Sequence, residues 1–113
     1  MSGCLFCQIA AGERPATIVL RGDGILAFRD TNPQAPTHIL IIPIKHIESI
    51  GELQAGDSEL MGRLIATAQA VAKAEGLAQG YRLVINTGRQ AGQSVFHLHV
   101  HLLGGRAMHW PPG

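Results

Sequence analysis

At 113 residues and 12.0 kDa the chain has the size of one domain and too little length for two independent cores. Apolar residues make up 46% and charged residues 15%, which excludes a disordered tail and a highly charged coil. The formal charge is +1 and the basic residues are scattered from Arg14 to Arg106. That pattern speaks against a nucleic-acid backbone or an acidic membrane, and for a small ligand or a protein partner.

Apolar runs such as 39–44 fall far short of the roughly 20 residues of a membrane span, and no basic segment followed by a long apolar run opens the chain. The expected location is the cytoplasm. Cys4 and Cys7 stand too close together to close a stabilising loop, and a reducing compartment suits them. Histidine, at six residues, is the over-supplied type, so the chemistry is to be sought there.

In chain order, Leu5, Phe6 and Ile9 at helical spacing before Gly12 predict a short helix over 4–11. Two β-rich runs, 17–21 and 24–29, are split by Gly22-Asp23-Gly24 and predict a hairpin. After a loop with two prolines, Pro33 and Pro36, the run 38–43 is continuously apolar beyond His38 and predicts a central strand. Asp57 or Ser58 is expected to cap a long helix that closes at Gly76. Its apolar stripe is Leu60, Met61, Leu64, Ile65, Ala68, Val71 and Ala72. Strands are expected over 82–86 and 95–103, with a glycine-containing loop, 87–93, between them. Adjoining strands and one dominant helix predict a single α+β domain, 1–113, on an antiparallel sheet.

The last strand alternates strictly. His97, His99 and His101 are expected on one face, with Phe96, Leu98, Val100 and Leu102 on the packing face. Three histidines on one face present six ring nitrogens, more than ordinary structural bonding absorbs. Two readings follow, metal ligation and imidazole chemistry on a substrate. An extended strand would set His97 and His101 about 13 Å apart, near the limit for sharing one ion. The spacing leaves open a metal at one end with catalysis at the other. Upstream, the loop with Gly88 and Gly92 is expected to offer backbone N–H groups to an anion, beside donors on Asn86, Gln93 and Ser94. Donors next to a nucleophile are what phosphoryl transfer requires.

His97-Leu98-His99-Val100-His101-Leu102-Leu103 resembles the histidine triad motif. The flanking Asp30-Thr31-Asn32-Pro33-Gln34-Ala35-Pro36-Thr37-His38, Asn86-Thr87-Gly88, Gly92-Gln93-Ser94 and the ending His109-Trp110-Pro111-Pro112-Gly113 resemble the Hint branch of that family. The resemblance covers nearly the whole chain. It implies a five-stranded antiparallel sheet with a short and a long helix, paired into a homodimer, that binds purine nucleoside monophosphates. It also implies hydrolysis of nucleoside phosphoramidates such as adenosine 5′-phosphoramidate and lysine adenylate. By position, His99 is the implied nucleophile, forming a nucleotidyl-histidine that water then opens. A neutral imidazole is competent for that step near pH 7, and the amine leaving group must take up a proton.

The same resemblance makes His101 the phosphate-contacting, proton-handling histidine, Ser94 the hydroxyl near the leaving group, and His38 the support of the nucleophile. It assigns Gly92, Gln93, Asn86 and the Ser94 backbone to phosphate or ribose, and Asp30 to the ribose hydroxyls. Leu5, Phe6, Ile9, Phe28 and Thr31 become the base cleft. Cys4-Leu5-Phe6-Cys7 has a spacing common in zinc sites. Some family members complete that pair with histidines that correspond here to His46 and His97. The set would be a closed, structural Cys₂His₂ zinc site, with no metal required for catalysis. Many Hint-branch members lack the cysteines, so the two patterns need not travel together. The prolines of 106–113 predict an extended arm, which the resemblance places near the partner subunit's cleft with Trp110. Two other readings are a zinc-dependent phosphohydrolase and a nucleotide-binding interaction protein with incidental hydrolysis.

Overall fold

The computed structural model describes residues 3–113. Helix α1 (Leu5–Ala10) leads to strands β1 (Ile18–Gly22) and β2 (Ile25–Arg29), then β3 (Thr37–Pro43) and the long helix α2 (Ser58–Ala74). Strands β4 (Tyr81–Val84) and β5 (Val100–Gly104) complete one antiparallel sheet of order β1-β2-β3-β5-β4. The expected α+β fold with an antiparallel sheet of five strands is the observed one.

Local chemistry explains the elements. Asp23 and Gly24 both hold positive φ, 54° and 76°, the requirement of a two-residue hairpin turn between β1 and β2. β2 and β3 are buried on both faces, as their apolar runs predict, because each face meets its own core. One core packs Ile25, Ala27, Ile39, Ile41, Val100 and Leu102 against Leu64, Ala68, Val71 and Ala72 of α2. The other packs Leu26, Phe28, Leu40 and Ile42 against Phe6 and Ile9 of α1. Register carries the second parity across the sheet, since Phe28 pairs with Leu40 and Leu40 with His101.

Four expectations need correction. The strand expected over 95–103 begins only at Val100, because β3 runs into Pro43, which has no N–H to offer a ladder. The segment before it bonds elsewhere, Leu98 N–H donating to the Ile47 carbonyl at 2.6 Å. Phe96 accordingly leaves the packing face and lies half-buried under the Arg89 guanidinium, 5.3 Å from the ring centre. Asp57 occupies the N-cap position of α2 but makes no side-chain capping bond, since its carboxylate takes the Gln54 N–H at 2.9 Å and the Lys45 ammonium at 2.8 Å. Ile65 falls off the buried stripe and is 43% exposed.

Gly105, the residue after β5, has φ 89° and stands against Pro36 of the loop between β2 and β3. A Cβ there would stand 2.9 Å from the Cβ of Pro36, a rigid ring. Gly105→Ala is therefore expected to cost at least about 1–2 kcal/mol, from left-handed strain alone. Gly22→Ala, which meets nothing within 4 Å, should stay within about 0.5 kcal/mol of the parent. Urea unfolding of the two variants checks the contrast.

Candidate active site

A cavity of about 720 Å³ opens on the α1 face of the sheet. One end is apolar, with Leu5, Phe6, Ile9, Ala16, Phe28 and Leu40, and the other polar, with Asp30, Thr31, Asn32, His38, Ser94, His99 and His101. Phe6 joins the two, its ring edge-on to Phe28 at 5.4 Å and to His99 at 5.1 Å between centroids.

Hydrogen bonds fix the imidazole tautomers. His99 Nδ1 lies 2.6 Å from the His97 carbonyl, which only accepts, so Nδ1 carries the proton and Nε2 keeps its lone pair. A second chain starts at the Gln34 N–H, which donates to His38 Nδ1 at 3.0 Å. His38 Nε2 must then carry the proton, and donates to His101 Nδ1 at 2.9 Å. His101 Nε2 is left as an N–H donor beside His99, whose ring is 4.8 Å away. One ring thus offers a lone pair and its neighbour a proton. Asp30 stands 3.4 Å from His38 Nε2 through one carboxylate oxygen, while the other takes the Asn32 N–H at 2.8 Å.

These rings are poor bases in the fold. Burial lowers His38 and His99 below the ordinary imidazole value of 6.5, against the opposing pull of Asp30. His101 falls to about 4 through burial and its neighbours His99 and His38. All three are neutral near pH 7.

The loop before the triad is arranged differently from the expectation. Gln93 is buried, its amide donating to the carbonyls of Glu48 at 2.7 Å and Val95 at 3.2 Å while its oxygen takes the Gly88 N–H at 2.8 Å. It staples the loop, and neither Gln93 nor Asn86 lines the cavity. The N–H groups of Ala91, Gly92 and Gln93 close the loop's own turns. Among the described residues, the Ser94 N–H and hydroxyl have no such partner and border the cavity, with Gly92 beside them. The sequence reading missed Gln34, whose contribution is a backbone N–H that no side-chain pattern announces. It also missed Leu40, which shares strand parity with His38.

Cys4, Cys7, His46 and His97 converge at a separate point, all four donor atoms within 4.8 Å of one another. Cys4 is the N-cap of α1, Cys7 lies in its first turn, and His46 follows the bend after β3. His97 Nε2 donates to the Pro43 carbonyl at 2.7 Å, so Nδ1 turns a lone pair toward the cysteines. That Nδ1 lies 3.4 and 3.5 Å from the two sulfurs and 3.2 Å from His46 Nδ1, which is itself 3.3 Å from Cys7 Sγ. A tetrahedral zinc with its usual bond lengths sets nitrogen pairs about 3.3 Å apart and nitrogen–sulfur pairs about 3.6 Å apart. The donors fit that ion, and the Pro43 carbonyl supplies the outer hydrogen bond that ligating imidazoles commonly have.

Comparison with known proteins agrees with this geometry. The HIT domain family model matches residues 11–108. The chain is 49% identical over 114 aligned positions to adenylylsulfatase HINT1 of Arabidopsis thaliana, covering 99% of this chain and 78% of that one. It is 52% identical over 114 positions to the 14 kDa zinc-binding protein of Zea mays, covering 99% and 89%. The crystal structure of a HIT family hydrolase from Legionella pneumophila superposes with a TM-score of 0.96 at 57% identity, covering 98% of this chain and 100% of that one. The chain belongs to the histidine triad (HIT) family, in its Hint-like branch.

Proposed function

We propose that the chain hydrolyses purine nucleoside phosphoramidates through a covalent intermediate on His99. The observation that carries this reading is the pairing of a lone pair on His99 Nε2 with an N–H on His101 Nε2 at the mouth of an apolar slot. In the first step His99 Nε2 attacks the α-phosphorus, the P–N bond to the leaving group breaks, and the departing nitrogen takes up a proton. His101 Nε2–H hands its proton toward the departing amine, while Ser94 donates to the same end. Water then attacks the phosphorus and gives a proton back to His101 Nε2, the bond to His99 breaks, and the monophosphate leaves with both imidazoles restored. Asp30 accepts from the ribose hydroxyls, and Phe6, Ile9 and Phe28 enclose the base.

Zinc bound by Cys4, Cys7, His46 and His97 would supply structure only, since four protein donors leave no open position for water. It would tie α1, the wall of the base slot, to the segment before β5. That closed set includes neither His99 nor His101, while Asp30, His38 and His101 form a second cluster whose donor atoms lie within 4.8 Å of one another. The thiolates the site needs suit a reducing compartment. We read the functional unit as a homodimer, with the edge strand β4 and the exposed Ile65 of α2 covered by a second copy. Trp110, 82% exposed on the arm 106–113, would then reach the partner's cleft.

Quenching the enzyme during turnover of adenosine 5′-phosphoramidate should give an intact mass raised by one nucleotidyl group, absent in His99→Gly together with turnover. A parent enzyme that turns over with no adduct in a single-turnover experiment contradicts the mechanism.

The acid limb of kcat/KM should lie below pH 6.5, because burial lowers His38, His99 and His101 alike, His101 to about 4. Lowering the pKa extends the neutral form to lower pH, so activity is kept as the pH falls past 6.5 and is lost as the first of the three rings takes up a proton. A limb centred at 6.5 or above would show that the rings are not buried as described.

Metal analysis of the purified chain should find about one zinc per chain. Cys7→Ser should lose most of it and melt at lower temperature, and full retention of zinc in that variant speaks against the site.

A further inference from the structure

The purine reading leaves open which purine, and one cation in the slot bears on it. Order across the sheet fixes the direction of a bound nucleotide. His101 belongs to β5, Leu40 to β3 and Phe28 to β2, while Arg14, Pro15 and Ala16 form the cavity wall on the approach to β1. Three strand spacings separate β5 from β1, roughly 14 Å, comparable to an extended nucleoside monophosphate with a contact at each end. With phosphorus at the histidines, sugar at Asp30 and base against Phe28, the base edge remote from the sugar comes to the wall that holds Arg14.

That guanidinium is placed and uncommitted. Arg14 Nε donates to Gln8 Oε1 at 2.9 Å, which anchors the group on α1. Among the described residues its two Nη groups have no other hydrogen bond or ion pair. The second guanidinium lining the cavity is spent, since Arg29 places both Nη groups on Glu75 at 2.9 and 3.0 Å. Arginine has donors only. The remote edge of a 6-oxopurine carries two adjacent acceptors, O6 and N7, which match a guanidinium fork, whereas adenine places an amino donor at the same corner.

Resting on the reading of this cleft as a purine nucleotide site, we propose that Arg14 contacts the remote base edge and directs the enzyme toward 6-oxopurine nucleotides. A good fork on guanine is worth about tenfold or more in discrimination. Charge alone does not reproduce it, because a lysine ammonium has no planar fork.

The test is calorimetric binding of GMP, IMP and AMP to the parent chain, Arg14→Ala and Arg14→Lys, beside kcat/KM for the matching phosphoramidates. The parent should bind GMP and IMP about tenfold more tightly than AMP, and the ratio should collapse toward one in Arg14→Ala and fall in Arg14→Lys. Equal affinities in the parent, a preference for AMP, or a ratio unchanged by both substitutions would overturn the assignment while leaving the nucleotide site standing. Binding of none of the three would instead remove the purine reading, and this inference with it.

Discussion

His97 is bonded in three directions at once, and the active site depends on that saturation. Its Nε2–H is held by the Pro43 carbonyl, its Nδ1 faces two sulfurs and His46, and its own carbonyl takes the Nδ1–H of His99. Because β3 ends at Pro43, the alternating segment does not pair with it until Val100, and the His97 carbonyl lies outside the ladder. The break in the strand thus leaves that carbonyl to orient the nucleophile. Were the ladder to continue, the carbonyl that sets the His99 tautomer would be taken by a neighbouring strand.

Much of the fold was legible because it rests on local signals. Gly22-Asp23-Gly24 specifies its turn through backbone angles, the apolar run of β3 specifies burial on both faces, and the α2 stripe specifies one core. The residues that departed from expectation are those whose partners lie far along the chain. Asp57 has the composition of a helix cap, but Lys45 and the turn at Gln54 use both of its oxygens. Gln93 has the composition of a phosphate contact, yet its amide spans Glu48, Gly88 and Val95. Alternation likewise counts side chains and cannot see that Pro43 ends the partner strand.

The site was legible in kind and not in wiring. Three histidines at alternate positions announced chemistry, but which nitrogen of each ring bears a proton is set by the Gln34 N–H and by two main-chain carbonyls, of Pro43 and His97. Those groups are common to nearly every residue, so sequence carries no trace of their use. The loop shows the same limit from the other side. Its glycines suggested an open cradle, whereas its N–H groups mostly close its own turns and Ser94 is what it presents to the cavity.

The strict alternation of the motif disguises a division of labour. An unbroken strand would space the three rings evenly, with no physical reason for one to differ from the next. In the fold His97 joins His46, 4.9 Å between rings, while His99 joins His101 at 4.8 Å. Phe6 stands between the pairs, 6.0 Å from His97 and 5.1 Å from His99. A residue of α1 thus separates a nitrogen facing thiols from a nitrogen facing the cavity, and the same residue walls the apolar slot. Because Cys4 and Cys7 open that helix, whatever fixes the cysteines also fixes Phe6, and through it the nucleophile's packing. The two-residue interval between His97 and His99 is enough to keep their chemistries apart because one ring is tied to backbone at Pro43 and the other to backbone at His97.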